Sequence, residues 1–140
     1  MASIHTHVET FGLASRFEVF TAVGAKKAFR KGARRVGSRG RTLARAGAPV
    51  RTGLSRRGIS ASVRSSGTIS TTKIYPGGPH RHITIWQDQG TGERHKKDGQ
   101  STGMVEAQFF FERAKLVLDG EVGDIYQSVI DEALRAAGLS

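Results

Sequence analysis

The chain of 140 residues has no cysteine, so neither a disulfide framework nor thiolate chemistry is open to it. It has few aromatic residues, with one tryptophan and two tyrosines, and only 37% of its residues are hydrophobic. A core that thin, beside 18 glycines, points to extended parts ordered by partners. No stretch approaches the roughly 20 apolar residues of a membrane-spanning helix. The opening MASIHTHVETFG has neither a basic nor an apolar signal segment. These absences read as a soluble protein made in a cytoplasm, with no membrane partner.

Acidic residues are missing where they would matter most. Between Glu18 and Asp88 there is none, while that interval holds fifteen of the 22 lysines and arginines. From Asp88 to Ser140 the balance reverses, with ten acids against six bases. The net charge is +10 and the isoelectric point is near 10.9. A surface of one sign this large repels itself unless an anion lies against it, which points to nucleic acid or an acidic protein face. The alternative is a solvated surface that serves solubility alone.

The periodicities predict an α+β fold: a long basic N-terminal helix, a small antiparallel sheet and a C-terminal amphipathic helix packed on it. Residues 1–15 read as a flexible or partner-bound arm, and 16–140 as a single domain. From Arg16 to Ala46, Phe29, Ala33, Val36, Gly40 and Leu43 follow the spacing of one helix face. Arg30, Arg34, Arg35, Arg39, Arg41 and Arg45 occupy the remaining surface. Four glycines weaken this helix, each by about 1 kcal/mol relative to alanine, and place an expected break near Gly37–Gly40. Ala48-Pro49 ends it.

The period then becomes two. ISASVRS (59–65), ISTTKIY (69–75) and HITIWQ (82–87) read as antiparallel strands separated by SSG and PGGP. Residues 88–103 read as a long loop. In VEAQFFFERAKLVL (105–118), Phe110, Ala114, Val117 and Leu118 suit a helix. The clearest helical stripe follows, with Val122, Ile125, Tyr126, Val129, Ile130, Ala133 and Leu134, stopped by Gly138.

Chemistry is harder to find. On a strand, His80 and His82 would share a face, but no acid or cysteine stands near to complete a metal site. GTGERHKKDG has glycines without the spacing of a phosphate loop. His95 with Asp88 or Asp98 lacks a nucleophile. No enzyme, cofactor or metal is expected. Trp86, Tyr75 and Phe109–Phe111 read as core residues, since a single-strand binder interleaves its aromatics with its arginines.

The order of these segments resembles the small neck and tail-completion proteins of long-tailed bacteriophages, the gene-product-ten-like family. The resemblance rests on Ala48, Pro49, Thr52, Gly53 and Leu54, then on Ile85, Trp86, Asp88, Gly90 and Thr91, then on Met104, Glu106, Ala107 and Phe109. Gln108 stands where that family often has proline. The match spans roughly residues 20–137. It implies a structural virion protein at the head–tail interface, assembled in the host cytoplasm. The subunit would form a homo-oligomeric ring, six- or twelvefold, around the DNA channel. Its neighbours would be the adjacent head-connector and tail-terminator or tail-tube proteins, with non-specific contact to packaged DNA. From charge alone, the competing expectation is a basic protein that binds nucleic acid without sequence preference.

Overall fold

The structure is a computed structural model and describes residues 3–8, 22–50, 53–66 and 69–138. Its elements run β1 (Ile4–Val8), α1 (Ala22–Gly47), α2 (Leu54–Gly58), β2 (Ile59–Ser66), β3 (Ile69–Pro76), α3 (Arg81–Gln89), β4 (Arg94–His95), β5 (Ser101–Gly103) and α4 (Phe110–Ala136). The fold is mixed α+β, as the periodicities predict. β3 is the central strand of an antiparallel sheet ordered β1-β3-β2. α1 lies across one face of this sheet, and α4 packs along α1 and reaches the sheet at β1.

α1 runs unbroken through Gly37 and Gly40, against the expected interruption. The glycines are points of close approach. A Cβ on Gly40 would stand 2.1 Å from Ile74 Cδ1 and 2.8 Å from Leu118 Cδ2. One on Gly32 would stand 2.6 Å from the Tyr126 ring. Helix, sheet and α4 meet at these bare positions, and the packing gained there offsets their low helix propensity. Phe29, Ala33, Val36, Ile59, Ile74, Phe110, Leu118 and Ile130 form the shared core, with Leu43, Ile125 and Leu134 partly buried at its margin. Thr72 in β3 fastens the sheet to the helix by donating its hydroxyl to the Ala33 carbonyl at 3.2 Å.

Several expectations fail for identifiable reasons. HITIWQ is not a strand: residues 81–89 form α3. Its buried residues, Thr84 and Asp88, are polar and four apart, so no apolar helical period appears in the sequence. The third strand of the sheet comes instead from Ile4–Val8, inside the segment read as a flexible arm. Ile4 is fully buried there. Residues 9–21, including the expected helix start at Arg16, lie outside the described residues. The 88–103 loop folds back as the β4–β5 hairpin. The two C-terminal helical segments are one continuous helix, with Gly138 at φ 72° closing it. Val117 is exposed rather than part of its packed face. Among the described residues no helix is long and apolar enough to cross a membrane.

Candidate anion-binding surface

The cations of α1 fall on two flanks. One faces α4 and is neutralised by it. Arg35 forms a bidentate pair with Glu132, at 2.7 and 3.0 Å, and Lys31 joins the same carboxylate at 2.7 Å. Arg39 forms a second bidentate pair with Glu121, at 2.6 and 2.7 Å. Hydrogen bonds from Arg35, then from Lys31, pull the Glu132 carboxyl down to about 2. The Glu121 carboxyl is lowered and the Arg39 guanidinium raised, chiefly by their mutual hydrogen bond.

The other flank points away from α4. Lys27, Arg30, Arg34 and Arg41 follow one helical stripe. The side chains of these four make no hydrogen bond or ion pair to any described residue. Lys27, Arg30 and Arg34 are exposed and Arg41 is half-buried. From Lys27 to Arg41 the stripe is about 21 Å long at the α-helical rise. It ends beside β2, where Arg34, Gly37, Ser38, Arg41, Ala61 and Val63 line a groove of about 290 Å³. Arg64 adds an exposed cation on the opposite face of β2.

Arg45 belongs to neither flank. Its guanidinium donates to the carbonyls of Ile59 (2.9 Å) and Arg57 (3.3 Å) and so ties the end of α1 to the start of β2. Arg56 does the same in reverse, donating to Ala48 O at 2.9 Å. Of the six arginines expected to face a channel or a neighbour, three are therefore committed within the fold. The unengaged ones are Arg30, Arg34 and Arg41. Lys27 completes the stripe and Arg64 stands on the opposite face of β2; the long acid-free interval is their only mark in the sequence.

Of the motif residues, Gly53, Gly90 and Thr91 shape turns and segment contacts within the fold. Gly53, at φ 67°, turns the chain between Pro49 and α2 and accepts the Arg57 N–H at 3.1 Å. Thr52 lies outside the described residues. At Gly90, φ 77°, a Cβ would stand 2.9 Å from the Val105 carbonyl, so glycine lets the 105–108 segment pass. Thr91 holds that segment from both sides: its N–H donates to Val105 O (2.9 Å) and its hydroxyl accepts the Val105 N–H (3.0 Å). Asp88 is buried and accepts the Phe111 N–H at 2.9 Å, serving the free amides at the start of α4 from another helix. Burial raises its carboxyl pKa, although the backbone donors act in the opposite direction. Phe109 takes the left-handed conformation at φ 47° and is exposed, unlike Phe110 and Phe111, which are core.

A second basic concavity lies on the other face of β3, where Lys73, Tyr75, Arg81 and Ile85 line about 550 Å³. Lys73 Nζ sits 5.7 Å from the Tyr75 ring centre, and Arg94 sits 5.3 Å from that of Trp86. Trp86 is 39% exposed, against its reading as core, and His82 meets its edge. Because His82 is on a helix and His80 just precedes it, the two do not share the face a strand would have given them. Among the described residues no three His, Asp or Glu gather where a metal ion could be held. Compared with protein-family models, with curated proteins and with solved structures, the chain matches none.

Proposed function

We propose that this chain is a ring-forming neck or tail-completion subunit of a long-tailed bacteriophage, joining the head connector to the tail around the DNA channel. The observation that carries the reading is the uncompensated stripe of Lys27, Arg30, Arg34 and Arg41. α4 has acids enough to neutralise one flank of α1, and it leaves the other bare. A bare cationic stripe suits the phosphates of a DNA of any sequence, because contacts to phosphate carry no sequence information. It equally suits an acidic face of the next subunit. The segment order and the motif residues support the phage assignment: Gly53 forms the turn into α2, and Gly90 and Thr91 seat the 105–108 segment that leads to α4. The role needs no catalysis. In it, the partners are further copies of this chain, the adjoining head-connector and tail-terminator or tail-tube proteins, and packaged DNA.

Electron microscopy of particles carrying Arg30→Gln, Arg34→Gln and Arg41→Gln tests this reading. Heads that lose DNA, in a salt-dependent way, are expected if the stripe lines the channel. Separate heads and tails are expected if it meets a neighbour. Complete particles that retain DNA would reduce the stripe to a solvated surface. Complete particles formed without the protein would remove the neck role, and tight DNA binding by the free chain would then favour a non-specific nucleic-acid-binding protein.

A further inference from the structure

The groove beside the basic stripe is bordered by an open edge of the sheet. β2 pairs with β3 on one side and with no described strand on the other. Which of its main-chain groups face outward follows from Ile59. The Ile59 N–H donates to Arg56 O, and its carbonyl accepts from Arg45, so both turn away from β3. Pro76 stands opposite and has no N–H to offer, as such a position requires. Antiparallel pairing alternates strictly, and the register from Ile59↔Pro76 to Ser66↔Ile69 has no bulge. Ala61, Val63 and Ser65 therefore also turn their N–H and C=O outward, and none of these groups bonds to a described residue. Ser60, Ser62 and Arg64 exchange theirs with β3. Natural proteins block or cover such edges. Here Ala61 and Val63 are only partly covered.

We infer that β2 takes an extended, acidic segment of a partner protein as a fourth strand. The main chain of Ala61, Val63 and Ser65 pairs with the segment. Alternate side chains of the segment meet Arg34 and Arg41 on the α1 side and Arg64 on the other. The edge offers donors and acceptors in alternation, which another peptide strand matches. A DNA backbone supplies acceptors only and would leave the three carbonyls unmet. The charges select against a second copy. Pairing β2 with β2 would set Arg64 and the Arg34–Arg41 groove against their own like, and the sequence of β1, IHTHV, has no carboxylate to offer.

Titration with a short synthetic peptide of alternating valine and glutamate tests the inference. Bound peptide is expected to slow amide exchange at Ala61, Val63 and Ser65, while Ser60, Ser62 and Arg64, already paired, change little. Methylating the peptide nitrogens on its pairing edge, with the protein untouched, is expected to weaken binding about tenfold or more. Val63→Pro is expected to do the same while leaving the β2–β3 pairing in place, because the lost N–H is not donated to β3; it also trims a half-buried side chain packed beside Gly37, so a modest fall in melting temperature accompanies it. Arg34→Gln with Arg41→Gln is expected to weaken the glutamate peptide but not its uncharged threonine counterpart. Three results would overturn the inference: equal binding of the methylated peptide, equal binding of a lysine-for-glutamate peptide, or protection of the same three amides by duplex DNA. Self-association of the free protein that Val63→Pro abolishes would also overturn it, by assigning the edge to a second copy.

Discussion

The two flanks of α1 have the same residue types and different neighbours. On the α4 flank, glycine is packed and arginine is paired: Gly40 touches Ile74 and Leu118, and Arg35 and Arg39 hold carboxylates. On the other flank Arg30, Arg34 and Arg41 hold none. α4 repeats the contrast, since Gly120 has nothing within 4 Å of where its Cβ would be. Composition alone would treat each glycine as a weak point of a helix and each arginine as part of one positive field. Position separates those serving the fold from those left for something outside it.

The largest expected effects come from breaking the packed flank. Gly40→Ala places a methyl group against Ile74 Cδ1 and Leu118 Cδ2, and both side chains are fully buried, so neither can swing aside. Overpacking of this kind costs about 1–3 kcal/mol. Adding Ile74→Val, which removes the clashing Cδ1, should recover part of the loss. Gly120→Ala should instead stabilise by up to about 1 kcal/mol, the helix propensity it gains in open space. Urea unfolding midpoints of the three variants decide the matter, and shifts of the same sign for Gly40→Ala and Gly120→Ala would erase the contrast.

Charge neutralisation sharpens the comparison with a smaller effect on the fold. Arg34→Gln with Arg41→Gln should leave the unfolding free energy within about 0.5 kcal/mol of the parent, since neither charge has a partner among the described residues. The same pair should lower the salt dependence of any duplex-DNA binding by nearly two phosphate contacts, a slope change of about 1.8. Arg35→Gln should lower it less, because Arg35 already holds Glu132. Fluorescence anisotropy across a salt series separates them, and equal slopes for both sets would mean that the pairing with α4 does not sort the arginines.

How much of this was legible beforehand depends on where each signal is stored. α1 and α4 are legible because a 3–4 apolar spacing survives the glycines, and β2–β3 because their alternation and the SSG breaker between them are local. β1 is not, as its pairing partner lies some seventy positions away, Ile4 opposite Ile74. α3 misleads because Thr84 and Asp88 fill its buried face, so Ile83 and Ile85 alternate by accident. The basic surface is legible as a total but not as a pattern. The acids that cancel Lys31, Arg35 and Arg39 stand 101, 97 and 82 residues downstream, and only the crossing of α1 and α4 brings them together. The motif glycines were legible as important; that Gly53 and Gly90 hold positive-φ turns needed the backbone geometry.

The smallest expected effect concerns pH and the neutralised flank alone. Glu132 is held down to about 2 against an ordinary 4.5, by Arg35 first and Lys31 second. A carboxylate with a depressed folded-state pKa contributes stability that is fully present above its unfolded value and is lost as pH falls through the folded one. The window is therefore from about pH 4.5 down to about pH 2. Glu121, lowered by Arg39, acts in the same direction. Both carboxylates are open to solvent, so salt should shrink the effect. Glu132→Gln should make thermal stability less steep across that window, because the variant has no proton to take up there. Asp88 acts oppositely: burial raises its folded-state pKa, so its protonation on acidification favours the fold and partly masks the loss at Glu132. The slope should therefore be read as a difference between parent and Glu132→Gln at matched salt, which cancels the contribution of Asp88. Melting curves that run parallel for the two proteins from pH 4.5 to pH 2 would show that the α4 flank is not held by this pair.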